Sequence, residues 1–159
     1  MQKFIVIDPL QNYPRDFDFS QIHYFRHPLW AKQNEYLWLV LTGEKISVKK
    51  YSLFYDESLD CEYEKEYIEE LTQVKAMVEL QQNPYSENEV WLKFFEVSPE
   101  FKHQGISKQI ISELIAVFKE KFNGKTLVRS AASNEGKLYL KDNFSDALNF
   151  AGIKYKFTD

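Results

Sequence analysis

One segment near the middle of the chain combines residue types that suit the binding of an anion. Its sequence is Val97-Ser98-Pro99-Glu100-Phe101-Lys102-His103-Gln104-Gly105-Ile106-Ser107-Lys108. It is predicted to join a strand to a helix, whose unpaired first-turn N–H groups and dipole favour a negative ligand. Lys102 and Lys108 flank the loop and strengthen that preference. The alternative is an ordinary strand-to-helix connection in which Ser107 caps the helix.

The elements around this loop carry the strongest patterns in the chain. Residues 90–97 read as a strand, and apolar side chains then recur at helical spacing from Ile106 to Phe122. Asn123 and Gly124 follow, which is typical of a helix end. This part of the chain therefore predicts a strand, a short loop and a long helix.

The rest of the chain predicts a strand-rich first half followed by alternating helices and strands. Residues 36–41 and 46–54 read as a hairpin that turns at Thr42-Gly43-Glu44. The remaining predicted elements are strands at 3–8, 73–80, 126–132 and 153–157, helices at 62–71 and 134–143, and a loop with room for one short helix over 10–33.

Composition limits the classes of protein that the chain can represent. Its 159 residues suit one domain, and 44% apolar residues exclude a disordered chain. Cys61 is the single cysteine, and His23 and His27 lack a nearby partner to complete a metal set, so no metal site is predicted. The apolar runs are too short for a signal peptide or a membrane span, so we expect a cytoplasmic protein without a membrane partner.

The charges are distributed unevenly along the chain. The net charge of −4 argues against nucleic acid as the main partner. Residues 56–70 hold eight acidic residues against one lysine, a local net of −7, whereas residues 102–159 hold ten basic residues against six acidic ones, a net of +4. The last third suits an anionic ligand, and the acidic stretch suits either a cation or plain solvation.

Two motifs, in order and separated by a predicted strand, resemble the GNAT superfamily of acyl-CoA-dependent N-acyltransferases. Residues 97–101 match the Val-x-Pro-Glu-aromatic strand end, and residues 102–107 are similar to the phosphate motif Gln/Arg-x-x-Gly-x-Gly/Ala. Lys102 and Ser107 depart from that motif. Residues 134–144 are similar to Asn-Ala-x-x-Phe-Tyr-Glu-Lys-x-Gly-Phe, with Asn143 in place of glycine. The resemblance covers residues 73–144.

This resemblance implies an α/β (α+β) fold with a mixed, mostly antiparallel central sheet flanked by helices. It implies a single domain over residues 1–159, with a cofactor-binding core at 73–144 and a divergent N-terminal part at 1–72. The tail is short for the family's final hairpin, so one strand is missing or comes from a second copy in a homodimer.

The resemblance also implies acetyl-CoA as co-substrate, no metal and an amine acceptor that the sequence does not identify. The cofactor-binding residues carried over from the family are Phe95, Val97, Lys102, His103, Gln104, Gly105, Ile106, Ser107, Lys108 and Asn134. Among them, the backbone of residues 95–97 corresponds to the strand that binds pantetheine in the family.

Acyl transfer to an amine needs a proton acceptor, stabilisation of an oxyanion and protonation of the departing thiolate. Tyr139 occupies the family's general-acid position, and a core tyrosine with a satisfied hydroxyl is the alternative. Glu96 lies in the strand that suits a base, and an exposed strand carboxylate is the alternative. Other candidates that would act through water are Glu79, Glu89 and Asp56.

Three functions remain open from the sequence. The first is an N-acetyltransferase that acts on a small molecule or a protein. The second is an acyl-CoA-binding or interaction module that has lost catalysis. The third, disfavoured by the net charge, acetylates aminoacyl-tRNA.

Overall fold

A computed structural model describes residues 2–26, 35–130 and 144–158. These residues form a seven-stranded sheet and two α-helices. The strands are β1 (Lys3–Ile7), β2 (Phe17–Asp18), β3 (Tyr36–Asp56), β4 (Cys61–Gln82), β5 (Glu89–Val97), β6 (Thr126–Ser130) and β7 (Lys154–Thr158). The helices are α1 (Ile106–Lys121) and α2 (Ser145–Ala151), and a 3-10 turn covers Pro99–Phe101.

The strands lie in the order β1-β3-β4-β5-β6-β7, and β2 pairs with β4 beside this path. The long ladders from β1 through β5 are antiparallel, whereas β5, β6 and β7 pair in parallel. Most paired residues are therefore antiparallel, and the expected mixed α/β sheet flanked by helices is confirmed. Among the described strands, β7 pairs with β6 alone.

Two apolar clusters hold the sheet together. One packs α1 and α2 against the sheet through residues that include Leu39, Val78, Ile110, Leu114 and Phe144. The other buries Trp38 and Met77 beneath Phe19 and Ile22 of the N-terminal loop. Residues 10–26 therefore cover part of the sheet without forming a helix, and the rest of the predicted loop, at 27–33, lies outside the described residues.

The prediction of a hairpin turn at Thr42-Gly43-Glu44 is wrong. β3 continues through this point with an irregular register between Thr42 and Lys45, and the chain reverses at residues 57–60 instead. A side chain on Gly43 would meet Gln73 Oε1 at 2.8 Å and Lys75 Cε at 2.9 Å. This glycine thus permits close approach at an irregular strand pairing, where the sequence suggested a turn.

The helix expected at residues 62–71 is also wrong, because this segment belongs to β4. Its glutamates and lysine suit a helix, but its backbone pairs residue by residue with β3 from Ile46↔Leu71 to Asp56↔Cys61. These long-range backbone hydrogen bonds override the local preference. The result is a two-stranded extension, residues 46–71, which we call the arm.

Other elements agree closely with the sequence patterns. β1, β5, α1, β6 and β7 begin and end within a few residues of their expected bounds. The sequence did not predict α2, and the helix expected at 134–143 lies outside the described residues. None of the described helices is long and apolar enough to cross a membrane.

Candidate active site

The sheet opens where β5 and β6 separate. The two strands pair only from Glu89↔Thr126 to Trp91↔Val128. A register shift then places Lys93 as an extra residue, since Leu92 faces Leu80 and Phe94 faces Glu79. Among the described residues, the β5 edge from 92 to 97 has no β6 partner, so its peptide groups can pair with an extended ligand.

Beyond this open edge, the loop before α1 turns sharply into the helix. His103 and Gly105 have φ of 64° and 75°, which turns successive peptide groups within a short loop. Gly105 is the N-cap of α1, and no side chain caps the helix. The alternative in which Ser107 caps the helix is therefore wrong, because Ser107 lies inside the first turn.

Charge around this loop suits a polyanionic ligand. Lys102 and Lys108 are exposed on either side of the N-terminus of α1, and α1 is 16 residues long. First-turn N–H groups without a side-chain cap remain available to phosphate oxygens. The strand edge and this loop together suit a ligand that carries an extended amide chain and a phosphate group.

The loop is anchored to β4 at Lys75, four residues beyond the arm. The Ser98 N–H donates to the Lys75 carbonyl at 2.8 Å, and the Lys75 ammonium lies 4.9 Å from the centre of the Phe101 ring. The Ser98 hydroxyl oxygen is buried and has no hydrogen-bond partner among the described residues. The arm and the loop thus leave the same end of the sheet.

Glu96, the expected base, lies on β5 and holds the N-terminal loop. One carboxylate oxygen accepts the His23 N–H at 2.8 Å, and the other accepts the Tyr24 N–H at 3.0 Å. This clamp brings residues 19–26 over the open end of the sheet. Two of the lone pairs that a general base would use are therefore already engaged.

Glu79 is a second carboxylate at this site. It lies on β4 directly opposite Phe94, is 8% exposed, and accepts the Trp38 indole N–H at 2.7 Å. Burial raises the pKa of Glu79, and the Trp38 hydrogen bond and the Lys93 charge offset only part of that increase. A carboxyl group with a raised pKa next to the open strand edge has the properties of a proton acceptor.

The other two candidate bases lie in different places. Glu89 begins β5, at the paired end of the strand. Asp56 lies at the tip of the arm, 14 residues beyond Thr42, which corresponds to about 45 Å of extended strand. Asp56 is thus remote from the sheet opening.

Arg129 is a further charged residue near the opening that the sequence did not single out. It lies on β6 just past the last β5–β6 pair and is buried. Burial lowers the pKa of its guanidinium, and the nearby Tyr24 raises it. The sequence gives little reason to single out one arginine in a short apolar strand, because its burial becomes visible only in the fold.

The remaining expected residues are placed only in part. Phe95 and Val97 are half-buried on β5 and pack against the α1 side of the core. Tyr139 and Asn134 lie outside the described residues. No group of three potential metal ligands occurs within the described ranges.

Two cavities formed by described residues lie at the other end of the sheet. One, of about 380 Å³, lies among Phe118, Lys125 and Ile153, and another, of about 690 Å³, lies beside the loop at 83–88. Neither includes the loop before α1. The candidate site is therefore described by an open strand edge and a loop, and these two cavities lie apart from it.

A mixed sheet that opens beside a loop suited to anions agrees with the fold implied by the resemblance to acyl-CoA-dependent N-acyltransferases. The chain belongs to the acetyltransferase (GNAT) family, which it matches over residues 9–141. This match includes most of the N-terminal part, where the two motifs gave no resemblance. No curated protein and no solved structure matches the chain.

Proposed function

We propose that this protein is an N-acetyltransferase that moves an acetyl group from acetyl-CoA to a primary amine of a small molecule or a protein. The open β5 edge, continuous with the loop before α1, is the observation that carries the proposal. Membership of the GNAT family supports acetyl transfer in general. In the reaction an N–C bond replaces the thioester C–S bond, the amine loses a proton and the thiolate gains one.

Binding of the co-substrate is the first test. Isothermal titration with CoA should show binding that Lys102→Glu and Lys108→Glu each weaken by about tenfold. Each change replaces a lysine that would pair with a phosphate by a glutamate, which repels the phosphate. Lys119→Glu is the matched control, since Lys119 is an exposed lysine in the last turn of the same helix. Absence of binding at millimolar CoA would contradict the proposal.

We assign protonation of the thiolate to Tyr139. Tyr139→Phe removes one proton donor while keeping the ring, so turnover should fall by roughly 10²–10⁴-fold with little change in CoA affinity. If Tyr139 is instead a core residue with a satisfied hydroxyl, the variant should lose about 0.5–1.5 kcal/mol of stability and keep most of its turnover. Single-turnover rates and melting temperatures of the same variant separate the two roles.

We propose that the general base is either Glu96 or Glu79. Glu96 lies on the strand that lines the opening, whereas the raised pKa of Glu79 favours proton acceptance nearer neutral pH. The acidic limb of the pH–rate profile should disappear in Glu96→Gln if Glu96 is the base, and in Glu79→Gln if Glu79 is. An unchanged profile in both variants would remove both residues from the mechanism.

One observation favours a second candidate, an acyl-CoA-binding module without turnover. Both oxygens of Glu96 accept backbone N–H groups, so this carboxylate serves the fold. Such a module would bind CoA and release no thiol from acetyl-CoA with any amine in a panel. Steady thiol release with one amine would exclude it.

A further inference from the structure

The arm has two different faces, which its cross-strand register defines. Paired residues on an antiparallel ladder point to the same side, and successive residues alternate. One side, which we call the acidic face, consists of Ser47, Lys49, Tyr51, Leu53 and Tyr55 of β3 with Glu70, Ile68, Glu66, Glu64 and Glu62 of β4. The opposite face carries Val48, Lys50, Ser52 and Phe54 with Glu69, Tyr67, Lys65 and Tyr63.

Charge is unbalanced on the acidic face alone. Its four glutamates face one lysine, and Lys49 lies 3.4 Å from Glu66. Glu62, Glu64 and Glu70 make no ion pair within the described ranges. On the opposite face Lys50 lies 2.9 Å from Glu69, and the Lys65 ammonium lies 5.8 Å from the centre of the Phe54 ring, so that face carries no excess of negative charge.

An apolar column runs beside these carboxylates. Leu53 is 72% exposed, Ile68 67%, Tyr51 58% and Tyr55 57%, all on the acidic face. Apolar side chains grouped in this way, next to a column of like charges, are typical of a protein-binding surface. The combination matches a ligand that brings cations and apolar groups together.

The arm leaves the sheet beside the candidate active site. β1 pairs with β3 only as far as Thr42, and β5 pairs with β4 only from Ala76 onward. Beyond these pairs and the short β2 contact at Thr72 and Gln73, the described arm strands pair with each other alone. Gln73 also contacts Glu100 at 3.4 Å, so the arm begins where the chain enters the loop before α1.

We propose that the acidic face docks a cationic polypeptide segment, with lysine or arginine beside apolar side chains, and that this segment belongs to the amine acceptor. The proposal rests on the proposed acetyltransferase function, and it narrows the acceptor to a protein or peptide. A small amine has no use for a long binding surface. Two acidic faces would repel each other, and nucleic acid would be repelled in the same way.

Binding of a labelled synthetic peptide of lysine, leucine and serine, followed by fluorescence anisotropy without acetyl-CoA, tests the docking. The triple variant Glu62→Gln, Glu64→Gln, Glu70→Gln should weaken binding by about tenfold or more, and added salt should weaken it further. The charge control neutralises Glu87, Glu113 and Glu120, which changes the net charge equally and lies outside the arm. Equal weakening in both triple variants, or no binding to the wild-type chain, would overturn the proposal.

The apolar part is tested with two neighbouring residues. Leu53→Ser should weaken peptide binding and Phe54→Ser should not, because their side chains lie on opposite faces. A peptide with glutamate in place of lysine should fail to bind. If sedimentation instead shows a dimer that dissociates in the Leu53→Ser variant, a second copy covers the acidic face and the proposal is wrong.

Failure of docking and failure of the proposed function are distinguishable. CoA titration should be unchanged by the arm variants, whereas acetylation of peptide lysines, measured by mass spectrometry, should show a raised KM with kcat retained. Peptide binding without CoA binding would refute the enzyme and the acceptor role of the peptide, and would leave the docking surface itself. CoA binding without peptide binding would refute only the docking surface.

Discussion

The carboxyl group of Glu79 makes stability depend on pH. Because burial raises its pKa above the ordinary value of 4.5, the folded state holds a proton that the unfolded state releases. The stability that this group contributes is complete below pH 4.5 and is lost as the pH rises through the folded-state pKa.

Glu79→Gln removes this titration and leaves an amide oxygen that can accept the Trp38 N–H. We expect the variant and the wild type to have the same melting temperature near pH 4. At pH 8 the variant should have the higher melting temperature, by about 2–4 °C for each kcal/mol of stability gained. Melting curves across this range provide the measurement. Glu113→Gln, on α1, is the matched control because it also replaces one carboxyl group by an amide.

Glu96 is expected to stabilise the N-terminal loop whatever its part in catalysis. Glu96→Ala leaves the N–H groups of His23 and Tyr24 without their acceptor, so unfolding should cost about 1–2 kcal/mol less. Limited proteolysis within residues 19–26 should also become faster. Unchanged melting and proteolysis would contradict the clamp, and Glu87→Ala in an exposed loop serves as the control.

The loop before α1 provides a test at the level of one element. Gly105 has a φ of 75° and free space where a Cβ would lie, so Gly105→Ala should cost about 1 kcal/mol through backbone strain alone. Gly124, with a φ of 80° and equally free surroundings, follows the other end of α1. Gly124→Ala should lower the melting temperature similarly.

Only the Gly105 variant should weaken CoA binding, because only that residue lies in the proposed phosphate loop. Calorimetry on both variants, with melting curves as the measure of strain, checks this. Equal CoA affinity in the two variants would show that the loop backbone does not contact the ligand.

The molecule as a whole consists of a packed sheet and an arm that adds little to the core. The fully buried residues of β3 and β4, such as Trp38 and Met77, all precede or follow the arm. Joining Ile46 to Leu71 through Asn-Gly, in place of residues 47–70, keeps a paired position at both ends of a two-residue turn.

The truncated chain should fold cooperatively, bind CoA as the full chain does and lose binding of the cationic peptide. Thermal melting, CoA titration and peptide anisotropy on the same preparation test the three expectations. A truncated chain that does not fold, or that no longer binds CoA, would show that the arm supports the sheet.

Local patterns in the sequence were sufficient to predict the loop before α1 and the two elements that flank it, β5 and α1. The apolar stripe of α1 and the strand signal of β5 each lie within one short segment, so their neighbours in sequence are their neighbours in space. The same holds for residues 97–108. Their motif indicated the GNAT family, and the family match confirms that membership. The assigned roles of Tyr139 and Asn134 stay predictions.

Tertiary structure alone decided the arm, the Glu96 clamp and the burial of Glu79. Residues 62–71 have the composition of a helix, and only pairing with β3 makes them a strand. Glu96 meets its partners His23 and Tyr24 across more than 70 positions of sequence. The free energy of these arrangements comes from contacts between distant segments, and no pattern within a single segment encodes such contacts.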